Sequence, residues 1–442
     1  MCGFFFSELN DGASSASLVK HRGPDHYKIY SDEFITLHNY RLKIVDQSNK
    51  NTHPIFSKSG NTLILFNGEI YNYLELYKKY SLKSKSKSEA HIIAEFFDKF
   101  GTSKLNELNG MFSLIVYNLK KREVLFIRDR FGIKPLNYTF VNKNLYVSSE
   151  IKPLLNIRKI NKIKNDQINM HSVVDYLYNS RINHDNKTFF NNIHSILPGH
   201  YAKYNLKNKK YEFTRYYFFK KSILKNNFHD NLFQLLKSKV KLFLNTKNKS
   251  GLLLSGGIDS TLLTFLAKKL KKKIITFTYG FSSNKNKTLS NTDDIIISKK
   301  IANELNVKNF NTIVTPDFII KNFDKILKKL ETPFTSIRIF GMYKVYLLAK
   351  SKGCKMIIDG QGGDEVFAGY KHHMEVSNKN FSINDMKKYL NYKRDSGLLK
   401  DGAKFLFESL FNKNLINIKK KYIKTSWTKN HNNNFNKNSL LQ

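Results

Sequence analysis

The sequence predicts two domains of different class: a layered α+β domain and, after it, an α/β domain with a parallel sheet. The length of 442 residues favours two domains, because domains commonly contain roughly 100–200 residues. In the first part, short segments rich in β-branched and aromatic residues alternate with turns. In the second, continuous apolar runs ending in glycines alternate with helical patterns. We therefore predict a first domain at 1–205, a linker at 206–227 and a second domain at 228–442.

The strands predicted for the first domain lie in TLILFNGEIYN, MFSLIVYN, EVLFIRD and NLYVSSE. One segment, SEAHIIAEFFDKFG, has the apolar spacing of a helix and ends at a glycine, which commonly stops helices. Many strands and few helices indicate a layered α+β domain. Residues 206–227 are polar, lysine-rich and aromatic, and for that reason we interpret them as the linker.

The second domain contains three apolar runs that predict buried strands, in GLLLSGG, KIITFTYG and KMIIDGQGG. Between them lie two helical patterns, STLLTFLAKKLKK and DDIIISKKIANELN. This alternation is typical of a parallel sheet flanked by helices. The last stretch, TKNHNNNFNKNSLLQ, has too few apolar residues to form a core of its own.

The composition limits the class of partner and the compartment. The formal net charge is +40, but the lysines are spread over the whole chain, so we expect no specific nucleic-acid partner. The sequence contains no run of about 18 apolar residues, so we expect no membrane partner. The start, MCGFFFSELND, lacks a basic signal-peptide region, and Cys2 and Cys354 alone form no disulfide framework. We expect a cytoplasmic protein.

The strongest single motif is LLLSGGIDST, in which a buried strand runs through a glycine turn into a helix. Gly256 and Gly257 allow backbone N–H groups to approach an anion, and the helix N-terminus favours negative charge. Ser255 and Ser260 add hydroxyl groups. The motif is no Walker A loop, because no Gly-Lys-Ser/Thr follows at the proper spacing. It resembles the pyrophosphatase-type loop of ATP-dependent adenylating enzymes, which implies that Asp259 holds Mg²⁺ against pyrophosphate.

A second acidic glycine turn, DGQGGDE, follows the next apolar strand. Ligands of parallel sheets bind at the carboxyl ends of the strands, so Asp259 and Asp364 could share one metal–pyrophosphate group. Arg338, which lies between the two turns in sequence, could neutralise a phosphate or bind a carboxylate.

Cys2 is a candidate nucleophile because of its position. Removal of the initiator methionine would make Cys2 the N-terminus, with a thiol and a free α-amine on one residue. The reference pKa values of these groups, about 8.5 and about 7.7–8.0, make the amine a plausible base for the thiol.

Four further motifs resemble the class II glutamine amidotransferases, whose nucleophile is an N-terminal cysteine. They are HRGPD at 21–25, RLKIVD at 41–46, NGEIYN at 67–72 and RDRFGIKPL at 128–136. Together with SGGIDS and GQGGDE, the combination is similar to the glutamine-hydrolysing asparagine synthetase family. The resemblance implies an N-terminal-nucleophile (Ntn) sandwich followed by a PP-loop domain of the adenine nucleotide α-hydrolase type.

The resemblance also implies roles for individual residues. Cys2 attacks the glutamine side-chain amide, and Asn67 with the Gly68 N–H forms the oxyanion hole. The glutamine-binding residues implied are Arg41, Glu69, Ile44 and Val45. The residues implied for ATP and pyrophosphate are Leu253, Ser255, Gly256, Gly257, Asp259, Ser260, Tyr279 and Gly360. Those implied for the acceptor or a phosphate are Arg338 and Gln361, and those for the metal are Asp259 and Asp364.

The implied reaction converts ATP, aspartate and glutamine to asparagine, glutamate, AMP and pyrophosphate. Ammonia would pass through an internal tunnel to a carboxylate activated as an acyl-adenylate. ATP and Mg²⁺ are the implied cofactors, and a homodimer is compatible with the resemblance. Two alternatives stay open: amidation of another carboxylate, such as a sugar acid of a surface polysaccharide, or an inactive homologue with a binding role.

Three departures from the family pattern matter. Lys87 stands where the family usually has the aspartate of Ser-Asp-x-Glu, so we expect weakened binding of the glutamine α-amine. Gln361 stands where well-known synthetases often have an acidic residue that handles the ammonia proton. The chain also ends before the Arg-Val-Pro-Phe-Leu-Asp motif and later lysine of the family, so we expect a fragment.

Overall fold

The computed structural model describes residues 2–9, 12–43, 53–163, 168–219, 228–244, 248–282, 292–367 and 369–370. The chain divides into two compact units. The first comprises Met1–Ile168 and Asn183–Gly360, and the second comprises Asn169–Ile182 and the residues from Gln361 onward. Within the described ranges, no helix combines the length and the apolarity needed to cross a lipid bilayer.

The N-terminal part of the first unit contains two six-stranded antiparallel sheets. Their strands are β1 (Gly3–Ser7), β2 (His26–Ser31), β3 (Thr36–Arg41), β4 (Ile55–Phe56), β5 (Thr62–Ile70), β6 (Gly110–Asn118), β7 (Glu123–Arg128), β8 (Asn137–Val141), β9 (Asn144–Ser148), β10 (His194–Ser195), β11 (His200–Asn205) and β12 (Tyr211–Arg215). The first sheet has the order β10-β8-β9-β1-β3-β2, and the second has the order β12-β11-β7-β6-β5-β4. The predicted strands in the four quoted segments are confirmed as β5, β6, β7 and β9.

The two sheets face each other across a shared apolar core. Phe4 and Phe6 of β1 enter this core together with Leu65 of β5 and Phe126 of β7. Phe5 points to the opposite face of the first sheet, as the alternation of a strand requires. The continuous apolar run of β1 therefore results from burial on both faces of its sheet.

Helices cover the outer faces of both sheets. Those of this part are α1 (Ala13–Ser17), α2 (Tyr73–Lys79), α3 (Glu89–Phe100) and α4 (Ile151–Ile160). Helix α3 packs on the second sheet, begins at the cap residue Ser88 and ends at Gly101, whose φ is 54°. Helix α4 packs on the first sheet. The predicted helix and the layered α+β class are confirmed, with the two sheets lying between helical layers.

The prediction of a linker over 206–227 is wrong for residues 211–215. These residues form β12, which pairs with β11 along its whole length. Because β12 is an edge strand with four exposed residues, its sequence looks as polar as a linker. Its aromatic residues instead pack on the first sheet, where the rings of Phe213 and Tyr138 lie 5.8 Å apart. Residues 220–227 lie outside the described ranges.

The C-terminal part of the first unit is an α/β layer with a four-stranded parallel sheet. Its strands are β13 (Ser250–Leu253), β14 (Ile275–Phe281), β15 (Lys308–Val314) and β16 (Met356–Ile358), in the order β15-β14-β13-β16. Its helices are α6 (Phe228–Phe243), α7 (Ile258–Lys269), α8 (Thr292–Glu304), α9 (Pro316–Leu330) and α10 (Arg338–Ser351). The predicted parallel sheet is confirmed, and β13 lies between β14 and β16, so its carboxyl end is flanked by two others.

The described part of the second unit contains two helices, α5 (Met170–Asn179) and α11 (Gly363–Phe367). The side chain of Asn169 caps α5 by accepting the N–H groups of His171 and Ser172. Helix α11 carries Asp364 and Glu365 in its first turn. Acidic side chains in this position are stabilised by the positive end of the helix dipole.

Candidate functional site

Cys2 immediately precedes β1, next to the carboxyl end of β3. Gly3 pairs with Tyr40, and the Cys2 Sγ lies 3.9 Å from the carbonyl oxygen of Leu42. The cysteine is partly exposed, whereas Arg41 is buried. The antiparallel pairing of β1 with β3 thus brings Cys2 and Arg41, far apart in sequence, to one place.

Asn67 and Gly68 lie side by side in β5, which packs against β1. Asn67 is completely buried, and neither polar atom of its side-chain amide has a hydrogen-bond partner. Such unsatisfied buried groups are rare in folded proteins, which makes this amide suited to a ligand atom. Gly68 has a φ of 139°, and a Cβ there would lie 1.9 Å from the Met111 carbonyl oxygen, so the position requires glycine.

Glu69 lies in β5 and Glu89 begins α3, and their carboxyl groups are close enough for their charges to interact. Burial raises the pKa of Glu69, and the charge of Lys134 partly offsets that rise. Burial likewise raises the pKa of Glu89 to about 8; the N–H of Ile70 opposes this, and Glu69 adds to it. Because two neighbouring carboxylates disfavour each other's ionisation, a bound ammonium group would relieve the repulsion. The α-amine of an amino acid is such a group.

The RDRFGIKPL segment is a turn held by its own first two side chains. The Asp129 carboxylate accepts the backbone N–H groups of Phe112 (3.3 Å), Phe131 (3.0 Å), Ile133 (3.0 Å) and Lys134 (2.9 Å). The Arg128 guanidinium donates to the carbonyl oxygens of Gly132, Lys134 and Ile196. These contacts support a mainly structural role for Arg128 and Asp129.

The same turn delivers a residue that the sequence analysis did not select, Lys134. Its side chain is only 5% exposed. Burial lowers the pKa of Lys134, as does Arg22, whereas the negative charges of Glu69, Asp129 and Cys2 raise it. Such a buried cation can stabilise negative charge on a ligand bound nearby. Its place at the end of the RDRFGIKPL turn is the only sequence signal that could have pointed to it.

Ile44 and Val45, which are predicted to bind glutamine, lie outside the described residues. Lys87, the predicted departure from the family pattern, is described. It is exposed and stands directly before Ser88, the cap of α3. Glu89, two residues further on, turns inward so that its carboxylate accepts the Ile70 N–H.

The SGGIDS loop forms a compact turn between β13 and α7. The hydroxyl groups of Ser255 and Ser260 lie 3.1 Å apart, and the Ser260 hydroxyl also donates to the Gly257 carbonyl at 3.0 Å. Gly256 has a φ of 90°, and a Cβ there would lie 2.5 Å from Ile297 of α8. Gly257 is the cap residue of α7 and has no side chain to cap it. No side chain caps the first N–H groups of the helix, and uncapped N–H groups of this kind are suited to binding an anion.

Neighbouring strands bring further predicted residues to this edge of the sheet. Gly360, after β16, packs so closely on the loop that a Cβ would lie 2.9 Å from the Cβ of Asp259. Leu253 ends β13, and Tyr279 lies in β14 against Gly341 of α10. Burial raises the pKa of Tyr279, and the charge of Arg338 opposes this rise. Arg338 begins α10 and is exposed.

Gln361 and Asp364 belong to the second unit. Among the described residues, no group of three or more His, Cys, Asp or Glu side chains could hold a metal ion. Asp259 is partly buried in the first turn of α7, where it offers carboxylate oxygens beside the uncapped N–H groups. Such a residue fits Mg²⁺, which commonly uses one or two carboxylates together with substrate phosphates. The shared metal of Asp259 and Asp364 stays a prediction.

The two halves of the chain each match a known domain. Residues 1–217 match the glutamine amidotransferase domain, and residues 231–432 match asparagine synthase. The chain belongs to the glutamine-hydrolysing asparagine synthetase family. Its antiparallel Ntn-type sandwich and its parallel PP-loop layer are the folds expected from the sequence.

Curated members of the asparagine synthetase family align with most of this chain. Asparagine synthetase [glutamine-hydrolyzing] 2 of Bacillus subtilis is 30% identical over 80% of this chain and 49% of its own length. Putative asparagine synthetase [glutamine-hydrolyzing] 2 of Methanocaldococcus jannaschii is 27% identical over 84% of this chain and 74% of its own. Asparagine synthetase [glutamine-hydrolyzing] 1 of Bacillus subtilis is 26% identical over 85% and 60%. The chain thus spans about half to three quarters of the length of these relatives.

Proposed function

We propose that the protein is an ATP-dependent amide synthetase that takes nitrogen from glutamine and forms asparagine from aspartate. The observation that carries the glutamine step is the buried, unpartnered amide of Asn67 beside Gly68, on the strand that packs against β1. Its Nδ2 donor is available to an oxyanion that develops when Cys2 attacks an amide carbon. The α-amine of Cys2, once the initiator methionine is removed, takes and returns the proton.

The residues around Cys2 would orient glutamine by its charged ends. Arg41 binds the α-carboxylate, and Glu69 binds the α-amine with the help of the neighbouring Glu89 carboxyl group. This assignment agrees with the electrostatics, since both carboxyl groups are stabilised in their charged form by an ammonium group. Ile44 and Val45 are proposed to line the same site.

The second half would activate the acceptor with ATP. Gly256, Gly257 and the hydroxyl groups of Ser255 and Ser260 are arranged to hold pyrophosphate at the N-terminus of α7. Leu253, Tyr279 and Gly360 are the further residues proposed for ATP. Asp259 would hold Mg²⁺, which would neutralise the charge of the leaving pyrophosphate. Arg338 would pair with the acceptor carboxylate or a phosphate.

A second candidate acceptor is a carboxylate other than aspartate. The observation that favours it is Gln361, since glutamine cannot accept the proton of ammonia as an acidic residue could. The two candidates share the glutamine half-reaction and the use of ATP, and they differ in the acid that is adenylated and that therefore stimulates pyrophosphate release.

The test supplies the protein with glutamine, ATP and Mg²⁺ and follows glutamate and pyrophosphate with and without aspartate. Aspartate-dependent pyrophosphate together with asparagine supports the proposal. Pyrophosphate release that needs a different acid supports the second candidate. Glutamate without pyrophosphate indicates a glutaminase alone. The absence of both products indicates an inactive homologue. In the first two cases, Asn67→Ala should lower glutamate release by about 10²–10³-fold.

A further inference from the structure

A chain of charged side chains runs from the backbone of Cys2 to the C-terminal end of α9. At one end, the Arg22 Nε donates to the Cys2 carbonyl at 3.1 Å. The Arg22 Nη1 lies 2.9 Å from Glu150 Oε1, and the His21 ring lies 3.0 Å from the same oxygen. The Glu150 side chain is 7% exposed and that of Arg22 is 10% exposed, so water screens this pair weakly.

Lys152 continues the chain to the other half of the protein. Its Nζ lies 3.0 Å from Glu150 Oε2 and 3.3 Å from Glu331 Oε1. Glu331 also accepts the backbone N–H groups of Ile151 (2.6 Å) and Lys152 (2.8 Å). It therefore caps α4, a helix of the N-terminal sandwich, although it is attached to α9 of the parallel-sheet layer.

Glu331 has a backbone conformation that usually favours glycine. It follows the last residue of α9 with a φ of 58° and a ψ of 16°, the left-handed conformation. Glycine is the usual residue there because it has no Cβ to clash. A glutamate that is only 9% exposed in that conformation gains its place through the α4 cap and the Lys152 pair.

Glu331 also begins the segment that leads to the proposed acceptor site. Residues 332–337 connect it to Arg338, the first residue of α10, and α10 packs on β14 through Gly341 and Tyr279. One end of this segment is thus anchored to the sandwich, and the other carries a cation at the edge of the parallel sheet. A ligand that moved Arg338 toward that edge would disturb the contacts of Glu331 with α4.

We propose that Glu331 is a positioning residue that couples the occupancy of the ATP and acceptor site to the orientation of Cys2, through Lys152, Glu150 and Arg22. This inference rests on the proposed function, because it requires ATP to bind beside Arg338. Coupling of this kind is reciprocal for binding, so a ligand at Cys2 would in turn change the affinity for ATP.

The test measures how fast iodoacetamide alkylates Cys2, with Cys354 of the same molecule as the internal reference. The full chain is treated with and without ATP, Mg²⁺ and aspartate, and peptide masses give the ratio of the two modified cysteines. In the unchanged protein we expect the ligands to alter this ratio about 5-fold or more. In Glu331→Gln the ratio should become nearly independent of them. Glu212→Gln, which removes an exposed partner of Lys210 on β12, should respond like the unchanged protein.

Three controls separate the explanations. Melting temperatures identify a variant that fails to fold; Lys152→Gln then replaces it, since it cuts the link while leaving the two backbone bonds of Glu331. Calorimetry shows whether ATP binds: absence of binding to the unchanged protein overturns the proposed function, and the coupling with it. Binding without any change at Cys2 overturns the coupling alone, as does an undiminished response in folded Glu331→Gln. Coupling without glutamate release contradicts the glutaminase step only.

Discussion

At the residue scale, Lys87 is the clearest departure from the family pattern. Its exposed side chain places a positive charge at the entrance of α3, in the position where the family has an aspartate for the glutamine α-amine. Like charges repel, so we predict that Lys87→Asp lowers the KM for glutamine by about 10-fold, which corresponds to about 1.4 kcal/mol. Steady-state glutamate release measures this.

The matched control for Lys87→Asp is Lys83→Asp, a second exposed lysine in the segment before α3. It makes the same change of charge outside the Ser-x-x-Glu motif. An equal fall of KM in both variants would attribute the effect to net charge. No fall in Lys87→Asp would show that Glu69 and Glu89 already satisfy the α-amine.

Glu89 predicts a pH dependence of stability. Its pKa is raised from 4.5 to about 8 by burial, so the folded state holds the proton more tightly than the unfolded state does. Tighter proton binding by Glu89 contributes its full free energy to folding below pH 4.5. This contribution is lost as the pH rises toward 8, at about 1.4 kcal/mol for each pH unit.

Glu89→Gln should flatten the stability curve between these pH values, because glutamine does not titrate. Urea unfolding at a series of pH values measures the free energy. Glu75→Gln, on the exposed side of α2, should keep the slope of the unchanged protein. A slope that survives in Glu89→Gln would assign the titration to another group.

At the scale of elements, the turn after β7 depends on a single carboxylate. Because Asp129 accepts four backbone N–H groups, Asp129→Ala leaves buried donors without partners. We predict a loss of about 3 kcal/mol or more in the free energy of unfolding. Chemical denaturation measures it, and glutamine hydrolysis should fall as well, since Lys134 is carried by this turn.

Asp98→Ala is the control for the Asp129 turn. Asp98 on α3 accepts one hydroxyl hydrogen bond, from Thr62 at 2.8 Å, so its loss should cost only about 1 kcal/mol. Equal losses for the two variants would contradict the view that the carboxylate organises the turn.

Element prediction succeeded where the local pattern and the burial agreed. The apolar runs of β5, β6 and β13 are buried, and their strands lie where the sequence places them. It failed for β12, because an exposed edge strand carries the polar residues of a linker. Pairing with β11, a contact between strands, decides its structure.

At the scale of the whole molecule, two separate sites predict two separable half-reactions. Cys2→Ala should abolish pyrophosphate release that depends on glutamine but retain release driven by ammonium chloride, because ammonia needs no nucleophile to be set free. Cys354→Ala, which changes the other cysteine, should keep both. Loss of both activities in a folded Cys2→Ala protein would contradict separable half-reactions.

The sequence by itself predicted the chemistry proposed for each half. Cys2 and the SGGIDS loop are local signals, since the position of a cysteine and the backbone freedom of adjacent glycines favour a nucleophile and an anion-binding loop. The role proposed for the Asn67–Gly68 pair follows from the resemblance of its motif to a known family. The order of strands and helices determined the two fold classes, because periodicity is a property of neighbouring residues.

Only the tertiary structure decided which distant residues meet. Lys134 lies within electrostatic range of Cys2 because it is carried by the turn that Asp129 holds, and Glu331 caps α4 from the other half of the chain. Neither contact has a periodicity or a motif of its own in the sequence. They arise because burial forces charged groups to find partners across the fold, and such partners are chosen by proximity in space.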